Sequence, residues 1–336
     1  MSDLERYKQH RINELTTQFN SNLGRAFATL QYNVRTIQSA RFVSNAQKTA
    51  RVNARIQQYN RDIANLRSLY TSAVQSVAKY VPEFNNNAAF KRRKALLIGV
   101  NYLNTPYALS GCINDTQRMS EFLSKRSFDN IQTITDLTSI KPTKTAILTA
   151  FRQLISTSQS GDLLFFYFSG HGSYTFDRSG DETDGRDEMI VSSDLQGILD
   201  DDFQSILRSL LPKDVTLIGL FDSCHSGTMF DLKYSYDNGT NYDQYTENPK
   251  VSAECKGNVL MLSGCMDAQT SAEALIEQRV QGAMSYVFME SLQQSPNSSW
   301  RELLRAMRVT LHENGFEQTP QLTTDSFYDV DSRVFL

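Results

Sequence analysis

The chain of 336 residues carries 34 Lys and Arg against 37 Asp and Glu, and 40% of its residues are hydrophobic. These values are ordinary for a soluble globular protein. Four cysteines in so long a chain are too few for a disulfide scaffold, and none forms a CxxC pair for zinc. Since no apolar run approaches a membrane span and the polar N-terminus lacks a signal peptide's apolar centre, we expect a cytoplasmic protein with reduced thiols and no membrane contact.

Charge is unevenly distributed along the chain. Residues 1–94 hold 16 Lys and Arg against 5 Asp and Glu, a net +11, which leaves −14 of the total −3 for residues 95–336. Opposite charges of this size predict that the N-terminal region docks on the remainder of its own chain. Binding of nucleic acid or of an anionic membrane by the basic face is the alternative. We expect no nucleic-acid partner, because the acidic remainder of the same chain is a closer partner for the basic face.

Residues 1–85 are predicted to form a basic, all-helical N-terminal region. Apolar residues recur there at helical spacing, no proline occurs before Pro82, and a weak break near residues 39–50 favours two helices folded as a hairpin. The plainest interpretation of such amphipathic stripes is packing on each other or on the next domain. Residues 83–90 are predicted to be a linker.

Short apolar runs alternate with helical patterns in the rest of the chain. This rhythm predicts an α/β protein with three layers, α/β/α, around a mostly parallel central sheet. A further strand, expected at an edge of the sheet, follows Pro320. The predicted strands are 95–100, 131–135, 162–168, 215–221 and 259–263, and the predicted helices are 115–125, 143–156, 282–292 and 300–314.

Two of these strands are followed by side chains typical of catalysis. The run 162–168 leads to His171, and the run 215–221 leads to Cys224. Open α/β sheets place their working residues at the carboxyl ends of strands, where neighbouring strands would bring a thiol nucleophile and its base together. A lone Cys at a strand end is often only a small buried hydrophobe. Flanking glycines favour the catalytic interpretation, because they let a ligand approach the backbone closely.

Four segments of this chain resemble sequence blocks of the metacaspases, which are caspase-like cysteine peptidases. The blocks are Ser-Gly-His-Gly at 169–172, Asp-Ser-Cys-His-Ser-Gly at 222–227, and the segments 109–115 and 262–271, in the family's order. The resemblance covers roughly residues 90–336. It implies a caspase-like fold with the type I order of parts: a large-subunit-like part at 86–232, an inter-subunit loop at 233–257 and a small-subunit-like part at 258–336.

The residues and the resemblance together predict a cysteine endopeptidase. Cys224 is the expected nucleophile and His171 the group that protonates the leaving amine, with the backbone N–H groups of Gly172 and Cys224 as candidate oxyanion donors. His225 is the rival base. Because it directly follows Cys224, we expect its side chain to point away from the crevice.

Charge beside the predicted crevice indicates the substrate class. Asp115 and Asp222, with Cys112 and Ser169 as smaller lining residues, predict cleavage after Arg or Lys rather than after Asp, because a pocket of carboxylates selects a cation. The resemblance points to the same four residues. The alternative for Asp222 is the N-cap of a following helix.

Acidic residues are dense after the predicted histidine strand. An EF-hand loop over residues 177–188 is excluded, because Glu182 stands where that loop needs glycine. The resemblance implies a different Ca²⁺ site, as found in calcium-responsive metacaspases. Its ligands would fall here on Asp187, Asp200, Asp201 and Asp231.

The inter-subunit loop has no helical or strand period and offers three lysines as candidate self-cleavage points, Lys233, Lys250 and Lys256. We expect a monomeric zymogen, restrained by its N-terminal region acting as a pseudo-substrate. Two other hypotheses stay open. One is a catalytically silent caspase-like scaffold, and the other is a different cysteine hydrolase or transferase.

Overall fold

The computed structural model describes most of the chain in two compact units, Met1–Glu83 and Phe84–Leu336. Each unit is considered by itself. The described residues are 3–40, 43–79, 90–176, 186–223, 229–236, 245–248, 251, 255–264, 273–276, 279–316 and 318–336.

The first unit is a helical hairpin. Helix α1 (Asp3–Ser39) and helix α2 (Asn45–Lys79) pack along a seam of residues spaced three and four apart. Phe19 stacks on Tyr70 at 4.7 Å between ring centroids, and Phe27 lies 6.4 Å from Tyr59. The predicted helical segment is therefore confirmed. Among the described residues of the whole chain, no helix combines the length and apolarity needed to cross a membrane.

The second unit is built on an eight-stranded sheet. Its strands are β1 (Arg93–Gly99), β2 (Asn130–Thr135), β3 (Leu163–Ser169), β7 (Thr216–Asp222), β8 (Tyr234–Tyr236), β9 (Tyr245–Glu247), β10 (Asn258–Ser263) and β13 (Gln321–Thr324). They lie in the order β2-β1-β3-β7-β10-β13-β8-β9. The first five strands in that order run parallel, and the last three pair antiparallel.

Two smaller sheets and five helices complete the described elements of this unit. The predicted helix starts near residues 143 and 300 are confirmed, since the side chains of Thr143 and Ser299 each cap the helix that follows. The helices are α3 (Cys112–Ser124), α4 (Lys144–Ser156), α5 (Asp200–Leu210), α6 (Ala283–Gln294) and α7 (Trp300–Glu313), and the strands are β4 (Gly172–Phe176), β5 (Arg186–Val191), β6 (Gly197–Leu199), β11 (Glu273–Ile276) and β12 (Arg279–Gly282).

Alternating side chains of β3 bind the layers together. Phe166 packs on one face against Phe151 of α4 and Phe203 of α5, with ring centroids 5.0 and 5.5 Å away. The next residue back, Phe165, packs on the opposite face, 6.4 Å from Phe288 of α6. Because successive residues of a strand face opposite sides of the sheet, one strand supports both helical layers. The predicted three-layer α/β/α fold is confirmed.

The structure corrects the prediction at two places. Strand β13 is not an edge strand, because it pairs with β10 on one side and with β8 on the other. The segment predicted as a structureless loop contributes β8 and β9, which extend the sheet beyond β13. Both errors have the same cause: strands of three or four residues are specified by their partners rather than by a local hydrophobic period.

Candidate active site

The carboxyl ends of four neighbouring parallel strands are aligned with one another at the same end of the sheet. Gly99 of β1 is in register with Ser169 of β3, Ser169 with Asp222 of β7, and Phe221 of β7 with Ser263 of β10. The backbone N–H of Gly170 also donates to the carbonyl of Asp222 at 3.4 Å. The chain beyond β3 and the chain beyond β7 therefore leave the sheet side by side.

His171 lies two residues beyond the end of β3 and is held by two tyrosines. Its backbone N–H donates to the Tyr102 hydroxyl at 2.8 Å, and its ring lies 4.6 Å from that of Tyr102. Its Nε2 lies 2.8 Å from the carbonyl oxygen of Tyr107. Because a carbonyl oxygen only accepts, Nε2 bears the proton, and Nδ1 is left as the basic nitrogen of the neutral ring.

Asp115 and Asp222, from α3 and β7, meet at the first turn of α6. Asp115 Oδ2 accepts the backbone N–H of Gly282 at 2.9 Å, and Asp222 Oδ2 accepts the N–H and the hydroxyl of Ser285 at 2.9 and 2.6 Å. The carboxylates are 1% and 5% exposed. A helix N-terminus with its unsatisfied N–H groups stabilises such anions. The alternative role considered for Asp222 was the N-cap of a helix that follows its own strand. In the structure Asp222 accepts hydrogen bonds from the first turn of a different helix, α6.

The two small lining residues lie beside this pair. The Ser169 hydroxyl donates to Asp115 Oδ2 at 3.4 Å, and Cys112 is buried at the start of α3, one turn before Asp115. Helix α3 begins three residues earlier than predicted, which places Cys112 and Asp115 together in its first turn. Neither of the described cysteines, Cys112 and Cys255, is disulfide-bonded.

Tyr167 and Ser285 are polar neighbours of Asp222 that sequence reasoning missed. The Tyr167 hydroxyl lies 2.6 Å from Ser285 Oγ, and both residues are fully buried. A phenol within seven consecutive buried residues was a signal, because buried tyrosine hydroxyls need a partner. The sequence could not identify Ser285 as that partner, since the two are 118 residues apart.

A separate acidic cluster is formed by residues at the start of α5 and in the segment after β7. One carboxylate oxygen from each of Asp200, Asp201 and Asp231 lies within 4.8 Å of the others, and Asp200 and Asp231 are buried. Asp200 Oδ2 also accepts the backbone N–H of Glu188 at 2.9 Å, which ties the cluster to β5. Asp187, the residue before Glu188, is 3% exposed but is not part of this three-residue group. The structure thus brings together three of the four predicted Ca²⁺ ligands.

Several predicted residues lie outside the part of the chain that the structure describes. They include the expected nucleophile Cys224, its neighbour His225, and Lys250. The described chain stops at Ser223, one residue short of Cys224, and resumes at Met229. Gly172, the other predicted oxyanion donor, is the first residue of β4. His10 and His312 are exposed on helices α1 and α7.

Comparison with known proteins agrees with this geometry. Residues 93–233 match the family model described as metacaspase, peptidase C14 domain. The chain is 36% identical to Metacaspase-1 of Schizosaccharomyces pombe over 301 residues, 73% of this chain and 70% of that protein, and 35% identical to Metacaspase-1 of Meyerozyma guilliermondii over 297 residues, 73% and 72% of the two chains. Among solved structures, protein GSU0716 from Geobacter sulfurreducens shares the fold, with a TM-score of 0.54 and 23% identity over 73% of this chain and 98% of its own. The chain belongs to the metacaspase family of cysteine peptidases.

Proposed function

We propose that this metacaspase is a calcium-stimulated endopeptidase that cleaves after Arg or Lys with Cys224 as nucleophile and His171 as proton donor. The observation that carries the proposal is the register of Ser169 with Asp222 at the ends of the adjacent strands β3 and β7. His171 lies two residues after Ser169, and Cys224 lies two residues after Asp222. Because the two residues lie at equal distances along the chain from paired strand ends, we expect them to share one crevice.

The surroundings of His171 support its role in the chemistry. The Tyr107 carbonyl holds Nε2–H, so that Nδ1 is the nitrogen available to the thiol. The Cys224 thiol gives its proton to Nδ1 of His171, and the resulting thiolate attacks the scissile carbonyl carbon. The carbonyl electron pair moves to oxygen, for which the N–H groups of Gly172 and Cys224 are the proposed donors. The C–N bond then breaks as His171 protonates the amine. Water hydrolyses the thioester, and His171 accepts its proton.

Two buried carboxylates, one in the first turn of α3 and one at the end of β7, support the specificity for basic residues. Asp115 and Asp222 converge on the first turn of α6, and Ser169 contacts Asp115. A substrate guanidinium or ammonium group entering beside them gains two charge-assisted partners. An aspartate side chain would meet two like charges, so peptides with Asp before the scissile bond are rejected.

Calcium fits the acidic cluster by its chemistry. Ca²⁺ prefers carboxylate oxygens and six to eight ligands, and Asp200, Asp201 and Asp231 offer three carboxylates whose ligand atoms lie within 4.8 Å of one another. Keeping three such groups ionised in partly buried surroundings is costly, and a divalent cation lowers that cost. Asp187 is the proposed fourth ligand. The ion would then link three elements of the second unit: β5, α5 and the loop after β7.

The N-terminal hairpin is the proposed restraint on the enzyme. Residues 1–85 hold 12 Lys and Arg against 5 Asp and Glu, a net +7, which leaves −10 for residues 86–336, so the basic arm is attracted to a peptidase whose own pocket selects Arg and Lys. Self-processing in the inter-subunit loop would use Lys233, Lys250 or Lys256. Of these, Lys233 lies 3.3 Å from Glu247 in an ion pair, whereas Lys256 is exposed.

Reporter peptides test the proposal. The full chain is incubated with peptides carrying Arg, Lys or Asp before the reporter group, once with Ca²⁺ and once with a chelator, beside Cys224→Ala. We expect turnover of the Arg and Lys peptides with Ca²⁺, little with chelator, and none by the variant. Turnover of the Asp peptide at an equal rate would refute the specificity. Absence of turnover under every condition would favour the silent scaffold.

A further inference from the structure

Three buried side chains form a continuous hydrogen-bonded chain that ends on the Asp222 carboxylate. The Tyr167 hydroxyl of β3 contacts Ser285 Oγ of α6 at 2.6 Å, and Ser285 Oγ contacts Asp222 Oδ2 of β7 at 2.6 Å. None of the three is more than 5% exposed. We call this set the Tyr167–Ser285–Asp222 relay.

The direction of the two bonds follows from charge and burial. Burial raises the pKa of the Tyr167 phenol well above its ordinary value, and the negative charges of Asp115 and Asp222 raise it further, so the hydroxyl keeps its proton. An ionised carboxylate only accepts, so Ser285 must donate to Asp222. Tyr167 must then donate to Ser285. The relay therefore delivers hydrogen bonds in one direction, towards the carboxylate.

The first turn of α6 fits both carboxylates closely. Ser285 contributes its backbone N–H as well as its hydroxyl to Asp222 Oδ2, at 2.9 and 2.6 Å. A Cβ at Gly282 would overlap Asp222 Oδ2 and come within 3.2 Å of Asp115 Oδ2. Two donors on one oxygen, with the helix backbone beside it, allow the Asp222 carboxylate little rotation.

We infer that Ser285 and Tyr167 are positioning residues that set selectivity for arginine over lysine by holding the plane of the Asp222 carboxylate. A planar guanidinium binds carboxylates through N–H groups in a fixed fork, whereas an ammonium is a compact charge that tolerates many orientations. Loss of the relay therefore weakens recognition of arginine more than recognition of lysine. The inference rests on the proposed specificity for basic residues.

The test compares Ser285→Ala and Tyr167→Phe with the wild type on matched Arg and Lys reporters. Removing hydrogen bonds to a charged group predicts that Ser285→Ala lowers kcat/KM for the Arg reporter by about 10- to 100-fold, mainly through KM. The Lys reporter loses less, so the Arg-to-Lys ratio falls by about tenfold. Tyr167→Phe leaves both Ser285 bonds in place and lowers the ratio less.

Tyr328→Phe is the matched control. The Tyr328 hydroxyl is also buried and accepts hydrogen bonds from Trp300 at 3.1 Å and from Ser332 at 2.9 Å. Its loss is expected to lower thermal stability, as in the relay variants, and to leave the Arg-to-Lys ratio unchanged. The control thus separates general loosening of the core from an effect on Asp222.

Each outcome decides the matter. An unchanged ratio in folded Ser285→Ala overturns the relay inference and leaves the proposed function intact. If the wild type cleaves neither reporter, the proposed function fails and the inference falls with it. If Ser285→Ala does not fold, Tyr167→Phe carries the test, and an unchanged ratio there overturns the inference as well.

Discussion

The hydroxyl of Tyr102 bridges the segment that carries His171, accepting the backbone N–H of His171 at 2.8 Å and contacting the carbonyl of Val191 at 2.7 Å. Burial raises the pKa of this phenol well above its ordinary range, so it keeps its proton and donates to Val191. Tyr102 itself has a φ of +50°, an uncommon value for a residue other than glycine. The loop after β1 thus positions His171, the proposed proton donor, through two contacts of Tyr102. One is with the His171 ring, and the other is with the His171 backbone N–H.

We predict that Tyr102→Phe lowers kcat by about tenfold with little change in KM, because the ring packing survives while His171 loses its backbone anchor. Steady-state kinetics on an Arg reporter measure both constants. Tyr174→Phe, at a half-exposed position on β4, is the control and is expected to behave as wild type. A kcat equal to that of wild type in the Tyr102 variant would show that the bridge does not position His171.

The two candidate bases are separated by substitution. His171→Ala is expected to abolish turnover, because no other described histidine lies at the carboxyl ends of β3 and β7. His225→Ala is expected to retain most activity, since a residue that directly follows the nucleophile projects to the other side of the backbone. Turnover of the same reporter by both variants is the measurement. The reverse pattern would assign the proton transfer to His225.

The sequence predicted the parts of the site that lie on long buried strands. The runs before His171 and Cys224 are continuous apolar stretches, and such runs identify central parallel strands without knowledge of their neighbours. What it could not predict are contacts made across the fold. One such contact is the hydrogen bond between Tyr167 and Ser285, which depends on how α6 packs in the folded chain. The other is the contact of the Tyr107 carbonyl with His171, which depends on the position of the β1–α3 loop.

The short strands escaped prediction for a related reason. Strands β4, β5 and β6 form a separate three-stranded sheet in a region for which the sequence predicted no strand. Its position matters for the proposed metal site, because the pairing of Met189 with Leu199 brings β5 beside the start of α5. A segment rich in Asp and Glu indicates that negative charge must be neutralised. It does not identify which of the carboxylates lie together in the folded protein.

Calcium binding is predicted to depend on Asp201 but not on its neighbour Asp202. Asp202 Oδ2 accepts the backbone N–H of Leu199 at 3.2 Å and pairs with Lys144 at 2.8 Å, so its carboxylate caps α5. In a Cys224→Ala background, calorimetric titration with Ca²⁺ is expected to show affinity lowered by about tenfold or more in Asp201→Asn, because one anionic ligand is lost. Asp202→Asn is expected to bind as the parent does. Equal affinities in the two variants would place the ion elsewhere.

Asp162 is predicted to make stability depend on acid pH. Burial opposes ionisation of this carboxyl, but hydrogen bonds from Arg92 and from the backbone N–H of Gln159 outweigh it and hold its pKa below the ordinary range. A carboxyl with a lower pKa in the folded state stabilises the fold above its unfolded pKa, about 3.9, and that contribution is lost as the pH falls through the folded value.

The urea midpoints of wild type and Asp162→Asn are therefore expected to differ above about pH 5 and to converge below about pH 4. The exposed Asp129→Asn serves as control and is expected to follow the wild type at every pH. A constant difference between wild type and Asp162→Asn down to the lowest pH would mean that packing, rather than ionisation, accounts for the role of Asp162.

Removal of residues 1–85 is predicted to raise basal activity if the proposed restraint holds, because the basic arm is then a pseudo-substrate tethered at high effective concentration. The expected gain in kcat/KM on an Arg reporter without added Ca²⁺ is about tenfold.

Salt provides the matched control for the truncation. Attraction between exposed charges is screened as ionic strength rises, so the full chain is expected to gain basal activity with salt, relative to the truncated chain. A truncated chain that folds, as judged by circular dichroism, with the same basal rate and salt response as the full chain would exclude inhibition by the arm. The hairpin's exposed arginines would then serve a different partner.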